Sequence, residues 1–265
     1  MTNLLELHDQ LLLYLNFLIE FVERDPSIQS IGKRCHEISR HYRALGICSL
    51  LVEGDIDEFF HNLIRSAQTR QYFLDRCRQE NYLSDFYLAA SFNGPFFDAV
   101  AANQFQLAGA IARLSPQEWH ERDEYEDDFA YAHFLHGLVL NQTEGLAQGP
   151  AILERFERAL EGPLSPRLAV CKAMLTRDTD DFESAFGELL AAREAEMAAA
   201  RLTVAAEEET FEPESGVFVE GLALLKLAGR LGVTPAPEHT MCPSMARRTD
   251  YRPFVPDGFP NRLLE

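Results

Sequence analysis

Residues 4–21, LLELHDQLLLYLNFLIEF, contain the pattern that decides the fold. Apolar side chains recur there at three- and four-residue steps and trace one face of an α-helix: Leu4, Leu7, Leu11, Tyr14, Leu15, Leu18 and Phe21. The dipeptide Asp25-Pro26 ends this helix, because proline cannot continue it. The strict alternation of a half-buried strand is almost absent from the rest of the chain, so the sequence predicts an all-α fold.

The same spacing predicts about ten helices in antiparallel hairpins, which form an irregular, repeat-like array. A second helix is predicted over 27–51, followed by a turn at Gly54, and Asp55 is expected to cap the third helix. Helix starts are also expected at Ser115-Pro116 and after Asp180. The remaining predicted helices cover residues 85–91, 96–114, 128–140, 145–160, 166–177 and 216–231. We expect Phe59-Phe60 and Phe96-Phe97 each to place one ring inward and one near the surface.

The composition changes after residue 233. Six of the 13 prolines lie in this last segment, together with Arg247, Arg248, Arg252 and Arg262. We expect an irregular tail over 233–265, with one short helix near 243–248. No interior linker is evident, so the sequence predicts one helical domain over 1–265 on which this tail packs.

The balance of charge excludes two broad classes of partner. Forty-two acidic residues against 24 basic ones give a net charge of −18. Direct binding to nucleic acid and to an anionic membrane surface are therefore disfavoured, because like charges repel. The N-terminal segment lacks the basic start and cleavage site of a signal peptide, and no stretch reaches the ~20 apolar residues of a membrane span. A cytoplasmic protein is expected.

Two acidic clusters are the candidate binding sites. The first lies within EWHERDEYEDD at residues 118–128, and the second begins at residue 207. They are interpreted either as a solvated turn and a helix N-terminus or as a docking surface for a basic partner. A divalent-metal site is a weaker alternative, since the EF-hand spacing with its central glycine is missing. The candidate partner-binding residues are Asp123, Glu124, Glu126, Asp127, Asp128, Glu207, Glu208 and Glu209.

No motif in the sequence identifies a catalytic reaction. Signatures of nucleophilic catalysis and phosphate binding are missing, and the one ExxH motif, at Glu58–His61, is half of what a di-iron bundle needs. The five cysteines are widely spaced and contain no CxxC pair, so buried free thiols are expected. His133 and His136 lie one helical turn apart and are interpreted as packed histidines. The sequence thus predicts no enzyme, metal or cofactor.

Three segments resemble the immunity protein 49 family. They are EYEDDFAY at 124–131, DDFESAFGELL at 180–190 and GVFVEGLALLKLA at 216–228, followed by Gly232. The first resembles an acidic-aromatic helix start of that family, the second its D-x-x-F-x-x-A helix, and the third its last Leu/Ala-rich helix. In the second segment the register and the usual Asn after Phe differ. The resemblance covers about residues 85–245, and neither the N-terminal helices nor the arginine-rich tail adds to it.

The resemblance implies a cognate antitoxin of a polymorphic or contact-delivered bacterial toxin, including those of type VI secretion. Such proteins bind the toxin domain and block it. Many of these toxins are basic nucleases, which the charge of −18 would complement. The expected partner is therefore a toxin, and the eight acidic residues above are the expected toxin-binding set. A helical-repeat adaptor or effector chaperone, and an uncharacterised enzyme, remain as alternatives.

Overall fold

A computed structural model describes residues 4–25, 27–83, 85–162, 165–256 and 259–260. Within these ranges the chain forms eleven α-helices and no strand, which confirms the all-α prediction. The α-helices are α1 (Leu4–Arg24), α2 (Ile28–Glu53), α3 (Ile56–Gln79), α4 (Gly94–Ala101), α5 (Phe105–Leu114), α6 (Glu126–Leu140), α7 (Gln142–Ala159), α8 (Pro166–Thr176), α9 (Thr179–Ala200), α10 (Phe211–Gly216) and α11 (Val219–Leu231). Short 3-10 turns cover Phe86–Leu88, Val204–Glu207 and Ser244–Arg247.

Helix α1 buries a narrower face than its sequence pattern predicts. Its buried residues are Leu7, Leu11, Leu15, Leu18, Ile19 and Val22, all of which pack in the main core. Tyr14 and Phe21 are exposed, so their predicted inward position was wrong. The reason is geometric: at 100° per residue both lie beyond the edge of the arc that faces α2. Helix α1 therefore keeps a large part of its apolar surface exposed.

Helices α2 and α3 form a tight pair at the centre of the fold. Gly54 ends α2 with a φ of 68°, and the Asp55 carboxylate accepts the N–H of Glu58 at 2.9 Å, so both predicted end signals are confirmed. The two helices approach closely at Gly46, where a Cβ atom would lie 2.8 Å from the carbonyl oxygen of Phe59. The pair provides the surface on which α1, α4 and α5 pack.

The predicted helix over 96–114 is two helices. Helix α4 ends at Ala101, and Asn103 takes a left-handed conformation with a φ of 59°. Asparagine is tolerated in that conformation, so the chain turns there and α5 starts at Phe105. Phe96 and Phe97 on α4 are both buried, as are Phe59 and Phe60 on α3. The expectation of one inward and one outward ring was therefore wrong for both pairs.

The predicted helix start at Ser115-Pro116 was also wrong. Residues 115–125 form an irregular loop. The Gln117 amide donates to the carbonyls of Ala112 and Ser115, at 3.0 and 2.7 Å, and so ties this segment back to the end of α5. The Trp119 indole donates to the carbonyl of Glu124 at 3.0 Å and packs on a small cluster with Phe129. These contacts hold the loop that leads into α6.

The C-terminal half consists of further packed pairs, α6 with α7 and α8 with α9. Helix α9 begins two residues earlier than predicted, because Asp178 rather than Asp180 caps it and accepts the N–H of Asp181 at 2.9 Å. The predicted helix over 216–231 starts at Val219, and Gly232 ends it with a φ of 94° as expected. Helix α11 packs across the fold onto α4 and so joins the two halves of the chain.

The tail has the irregular course that the sequence predicts, with its 3-10 turn at Ser244–Arg247. Tyr251 stacks on Phe60 with ring centroids 4.5 Å apart and donates its hydroxyl hydrogen to the Ala102 carbonyl. Arg252 pairs with Asp57 at the start of α3. The predicted tail residue Arg262 lies outside the described residues, as do 257–258 and the rest of 261–265.

One hydrophobic cluster draws residues from α1 to α9, from α11 and from the tail. This is the arrangement expected of one continuous domain, although the domain count stays a prediction. All five cysteines are buried and unpaired, as the sequence predicts. In the part of the chain that the structure describes, no helix has the length and apolarity needed to cross a bilayer.

Candidate functional site

Glu124, in the first acidic cluster, forms hydrogen bonds with the backbone of its own chain. Its carboxylate accepts the backbone N–H groups of Ala90, at 3.1 Å, and Ser91, at 2.7 Å. These bonds join the loop before α6 to the segment before α4. With Asp123, Glu124 also borders a cavity of about 510 Å³, whose lining includes Arg78 and Arg113. The role of this carboxylate within the chain is therefore to hold the loop in place.

Glu126 and Asp128 lie in the first turn of α6 and pair with arginines of the following helices. Arg155 of α7 donates through its Nε atom to Glu126 at 2.6 Å. Arg167 of α8 lies 3.7 Å from the Asp128 carboxylate. Both acids also complement the positive end of the helix dipole. Burial raises the pKa of Asp128, and the charge of Arg167 opposes that rise.

Asp123 and Asp127 differ from their neighbours. Within the described residues, neither carboxylate has an ion-pair or hydrogen-bond partner, and both side chains are partly exposed. Asp127 shares the first turn of α6 with Glu126 and Asp128, but within the described residues no basic side chain pairs with it or with Asp123. Of the five predicted residues in this cluster, these two are the ones whose carboxylates are available to a partner protein.

The second acidic cluster also contains both paired and unpaired carboxylates. Glu208 accepts a hydrogen bond from Arg40 of α2 at 2.8 Å, and Arg40 also donates to the Thr210 hydroxyl at 2.7 Å. Glu207 is exposed and Glu209 is partly exposed, and in the described ranges neither forms an ion pair. Glu207 and Glu209 are thus the available carboxylates of this cluster.

A cleft of about 340 Å³ lies between the two clusters. Residues of α2, α4, α8, α9, α10 and α11 and of the segments joining them line it. Four of these residues are arginines: Arg40, Arg43, Arg167 and Arg193. Arg40 pairs with Glu208 of the second cluster, and Arg167 pairs with Asp128 of the first. The structure therefore brings the two predicted clusters, about 80 residues apart in sequence, to the borders of one cleft.

The cleft contains an ion pair between Arg43, whose side chain is 15% exposed, and the fully buried Asp98. Arg43 donates to both carboxylate oxygens of Asp98, at 2.7 and 2.8 Å, and Asp98 also accepts the Ser66 hydroxyl hydrogen at 2.5 Å. Glu214 lies 3.4 Å from the other side of the guanidinium. Burial alone would lower the pKa of Arg43, but the charges and hydrogen bonds of Asp98 and Glu214 outweigh it and raise the pKa. Arg43 is therefore a fixed positive charge.

The wall near the first cluster is built on a second arginine pair. Arg167 donates to both Glu220 oxygens at 2.7 Å, and the Tyr131 hydroxyl donates to the same carboxylate at 2.8 Å. The guanidinium also lies 5.1 Å from the centre of the Tyr131 ring, within reach of a cation–π contact. This network ties α6, α8 and α11 together and fixes the position of Asp128.

The titratable groups that line the cleft include one histidine and four paired arginines. His36 lines the cleft, and burial together with the charge of Arg40 lowers its pKa to about 3, so it is neutral at physiological pH. Outside the cleft, burial raises the pKa of the Cys48 and Cys77 thiols to about 12, which leaves both as unreactive thiols. Each of the four arginines has an acidic partner.

No group of three or more His, Cys, Asp or Glu side chains in the described part of the chain is arranged to hold a metal ion. Of the two histidines singled out on α6, His136 is buried and bonds to the Asn93 amide oxygen at 2.8 Å. His133 stacks on Phe129 with ring centroids 5.4 Å apart. Both are packed histidines, as the sequence predicts.

The sequence did not single out the arginines that organise this region. Arg40 and Arg43 lie one turn apart on α2, which is a weak signal in a chain with 24 basic residues. Their partners Glu208 and Asp98 are 168 and 55 residues away, so only the fold shows the pairing.

The comparisons with known proteins agree with the resemblance of the three segments. A sequence model of the family described as immunity protein 49 matches residues 59–246. The match begins in α3, upstream of the expected residue 85, and leaves α1 and α2 outside. No curated protein and no solved structure matches the chain.

Proposed function

The chain belongs to the immunity protein 49 family, and we propose that it binds a cognate bacterial toxin and neutralises it by covering the toxin's active or nucleic-acid-binding surface. The family match over residues 59–246 is the observation that carries this proposal. Immunity by occlusion requires a stable, specific surface, and the ion pairs around the cleft provide a rigid one. A cytoplasmic location, where an incoming toxin would act, belongs to the same proposal.

We further propose that the toxin is a basic nuclease, delivered by a route such as type VI secretion. The net charge of −18 supports this, because it attracts a partner whose own surface must be positive to bind phosphates. Electrostatic steering of this kind raises the association rate by roughly 10- to 1000-fold.

Within the predicted toxin-binding set, the structure suggests two roles. Glu124, Glu126, Asp128 and Glu208 hold the two clusters in place through hydrogen bonds or ion pairs inside the chain. The other four acids have no such partner among the described residues, and we propose that they face the toxin's basic side chains. These four, called the open acids below, are Asp123, Asp127, Glu207 and Glu209.

The proposed function is tested by bacterial growth. The C-terminal domain encoded by the neighbouring gene is expressed with and without this protein. We expect that domain to stop growth, and co-expression to restore it with the two proteins co-purifying. A domain that stays toxic when the protein is present would contradict immunity for this pair. A harmless domain that still co-purifies would favour the adaptor alternative.

The role of the open acids is tested by charge reversal. Replacing all four with lysine changes the net charge from −18 to −10, and we expect slower association that depends less on salt. A control with the same net change reverses four exposed acids elsewhere: Glu154, Glu161, Glu188 and Glu194. Equal effects of the two variants would show that net charge alone matters, and that the open acids are a solvated surface.

A further inference from the structure

Helix α1 carries an apolar stripe that the described part of the chain leaves exposed. Its members, called the α1 stripe, are Leu13, Tyr14, Phe17 and Phe21, with exposed fractions of 76%, 49%, 63% and 37%. With about 200 Å² for a large side chain, the stripe exposes on the order of 450 Å². This is within the range of the largest apolar patch on a typical monomer, about 300–600 Å², which often marks a binding site.

The stripe is bordered by acidic residues. Exposed carboxylates on the same helix are Glu6, Asp9, Glu20 and Glu23. The one arginine of α1, Arg24, pairs with Glu20. An apolar centre with a carboxylate border complements a surface with apolar side chains at its centre and lysine or arginine around them.

Contacts along α2 connect the stripe with the second acidic cluster. Tyr14 stacks on His41, with ring centroids 5.4 Å apart, and the Arg34 guanidinium lies 5.0 Å from the centre of the Phe21 ring. One to two turns further along α2, Arg40 pairs with Glu208. The stripe and the Glu207–Glu209 cluster therefore flank the same helix, and one large partner can reach both.

The charge and size of the stripe argue against two other occupants. A second copy of the chain would bring two acidic borders together, and 450 Å² falls short of the roughly 800 Å² that each partner buries in a stable interface. A membrane is disfavoured because the anionic leaflet would repel the same border. A basic protein is not repelled by this border, and contact with the Glu207–Glu209 cluster as well would add to the area that the stripe alone can bury.

We propose that the α1 stripe is a docking surface for the cognate toxin, with Leu13 and Phe17 at the centre of the contact. This inference rests on the proposed function and adds to it a surface outside the family match, which begins at residue 59. Large apolar side chains at the centre of an interface carry most of its binding energy, while charges at the rim mainly set the association rate. The stripe therefore holds the toxin that the acidic surface attracts.

The proposal is tested with the variant Leu13→Gln/Phe17→Gln, because glutamine keeps a high helix propensity. A control, Met245→Gln/Val255→Gln, replaces two apolar residues of the tail that are 37% and 69% exposed and belong neither to α1 nor to the acidic clusters. Affinity for the neighbouring gene's toxin domain is measured by surface plasmon resonance, and folding by urea denaturation. We expect the stripe variant to bind at least about 30-fold more weakly, through faster dissociation, and the control to bind within about threefold of wild type.

The outcomes separate this proposal from the function on which it rests. If wild type protects cells and the stripe variant binds normally, the docking surface is refuted and immunity stands. If wild type neither protects nor binds, both are refuted. Light scattering and sedimentation with phosphatidylserine vesicles test the other occupants. A wild-type dimer, or vesicle binding, that disappears in the stripe variant would overturn the proposal in favour of a second copy or a membrane.

Discussion

Removal of Arg43 provides a quantitative test of how the cleft is built. In Arg43→Met the buried Asp98 carboxylate loses both guanidinium hydrogen bonds and retains the Ser66 hydroxyl. Removing one partner of a buried pair costs about 3–5 kcal/mol, because the remaining charge is uncompensated. The decrease in the free energy of unfolding has an upper bound, because Asp98 can bind a proton and become neutral rather than remain charged without a partner. At pH 7 that costs about 4 kcal/mol, given an ordinary aspartate pKa of about 3.9 and about 1.36 kcal/mol per pH unit.

The same reasoning fixes the pH dependence of the effect. At pH 5 the cost of protonating Asp98 falls to about 1.5 kcal/mol, so the destabilisation should shrink from about 3–4 to about 1.5 kcal/mol. Urea denaturation followed by circular dichroism at both pH values measures this change. The control is Lys172→Met, which removes a half-exposed pair with Glu157 and should cost about 0–1 kcal/mol at either pH. A loss for Arg43→Met below about 1 kcal/mol at pH 7, or equal losses at the two pH values, would refute an ionised Asp98 neutralised by Arg43.

Three further predictions concern the scaffold, each measured as an unfolding free energy. Gly145→Ala should destabilise the fold by about 1–3 kcal/mol, because the added Cβ would lie 2.5 Å from a backbone carbon of α6. Gly187→Ala, where the added Cβ on α9 meets open space, should instead stabilise the fold by about 0.5–1 kcal/mol. Burial, and then the charge of His133, lowers the pKa of His136 to about 3, so the unfolded state alone binds this proton between about pH 6.5 and 3. The free energy of unfolding should therefore decrease as the pH is lowered, and at pH 5 this group should account for a decrease of about 2 kcal/mol. In His136→Gln that part of the pH dependence should be missing. Asp178→Ala should cost about 1 kcal/mol through loss of the α9 cap, and no change would contradict the observed start.

Helix ends with their own local chemistry could be predicted from the sequence. Gly54 and Gly232 adopt left-handed backbone conformations that favour glycine, and Asp55 bonds to an N–H three residues away. These signals depend only on residues within one turn. The fold class follows for the same reason, since the three- and four-residue spacing of apolar side chains is itself local.

The errors occurred where distant contacts decide the backbone. Ser115 and Pro116 have the sequence form of a helix start, yet the loop there is held by Trp119, which packs beside Phe129, and by Glu124, which bonds to the segment before α4. Tertiary contacts of this kind override local propensity. The break at Asn103 is harder still to predict, because asparagine occurs in both helices and left-handed turns.

Prediction of the candidate site from the sequence fails for the same reason, because contacts between distant residues decide which carboxylates are paired. The sequence identified the acidic residues as a charged set but could not divide it, because the division depends on arginines elsewhere in the chain. Glu208 meets Arg40 over a separation of 168 residues, and Glu126 meets Arg155 over 29. Carboxylates adjacent in sequence, such as Asp127 and Asp128, consequently differ in their partners.

On the proposed interface, an ion pair with an arginine of the same chain changes what an acidic residue contributes to binding at contact. It does not change the net charge that attracts a partner from a distance. Every arginine that neutralises a carboxylate is already counted in the net charge of −18, so a cationic partner approaching from beyond the Debye length of about 8 Å responds to the whole surface. At contact, only a carboxylate without a partner can accept a new hydrogen bond without breaking an old one. We therefore propose that the open acids determine where a basic partner docks, since exposed charge pairs add little affinity. Stable binding also requires apolar contact, which on our proposal comes from the α1 stripe, joined to the Glu207–Glu209 cluster along α2.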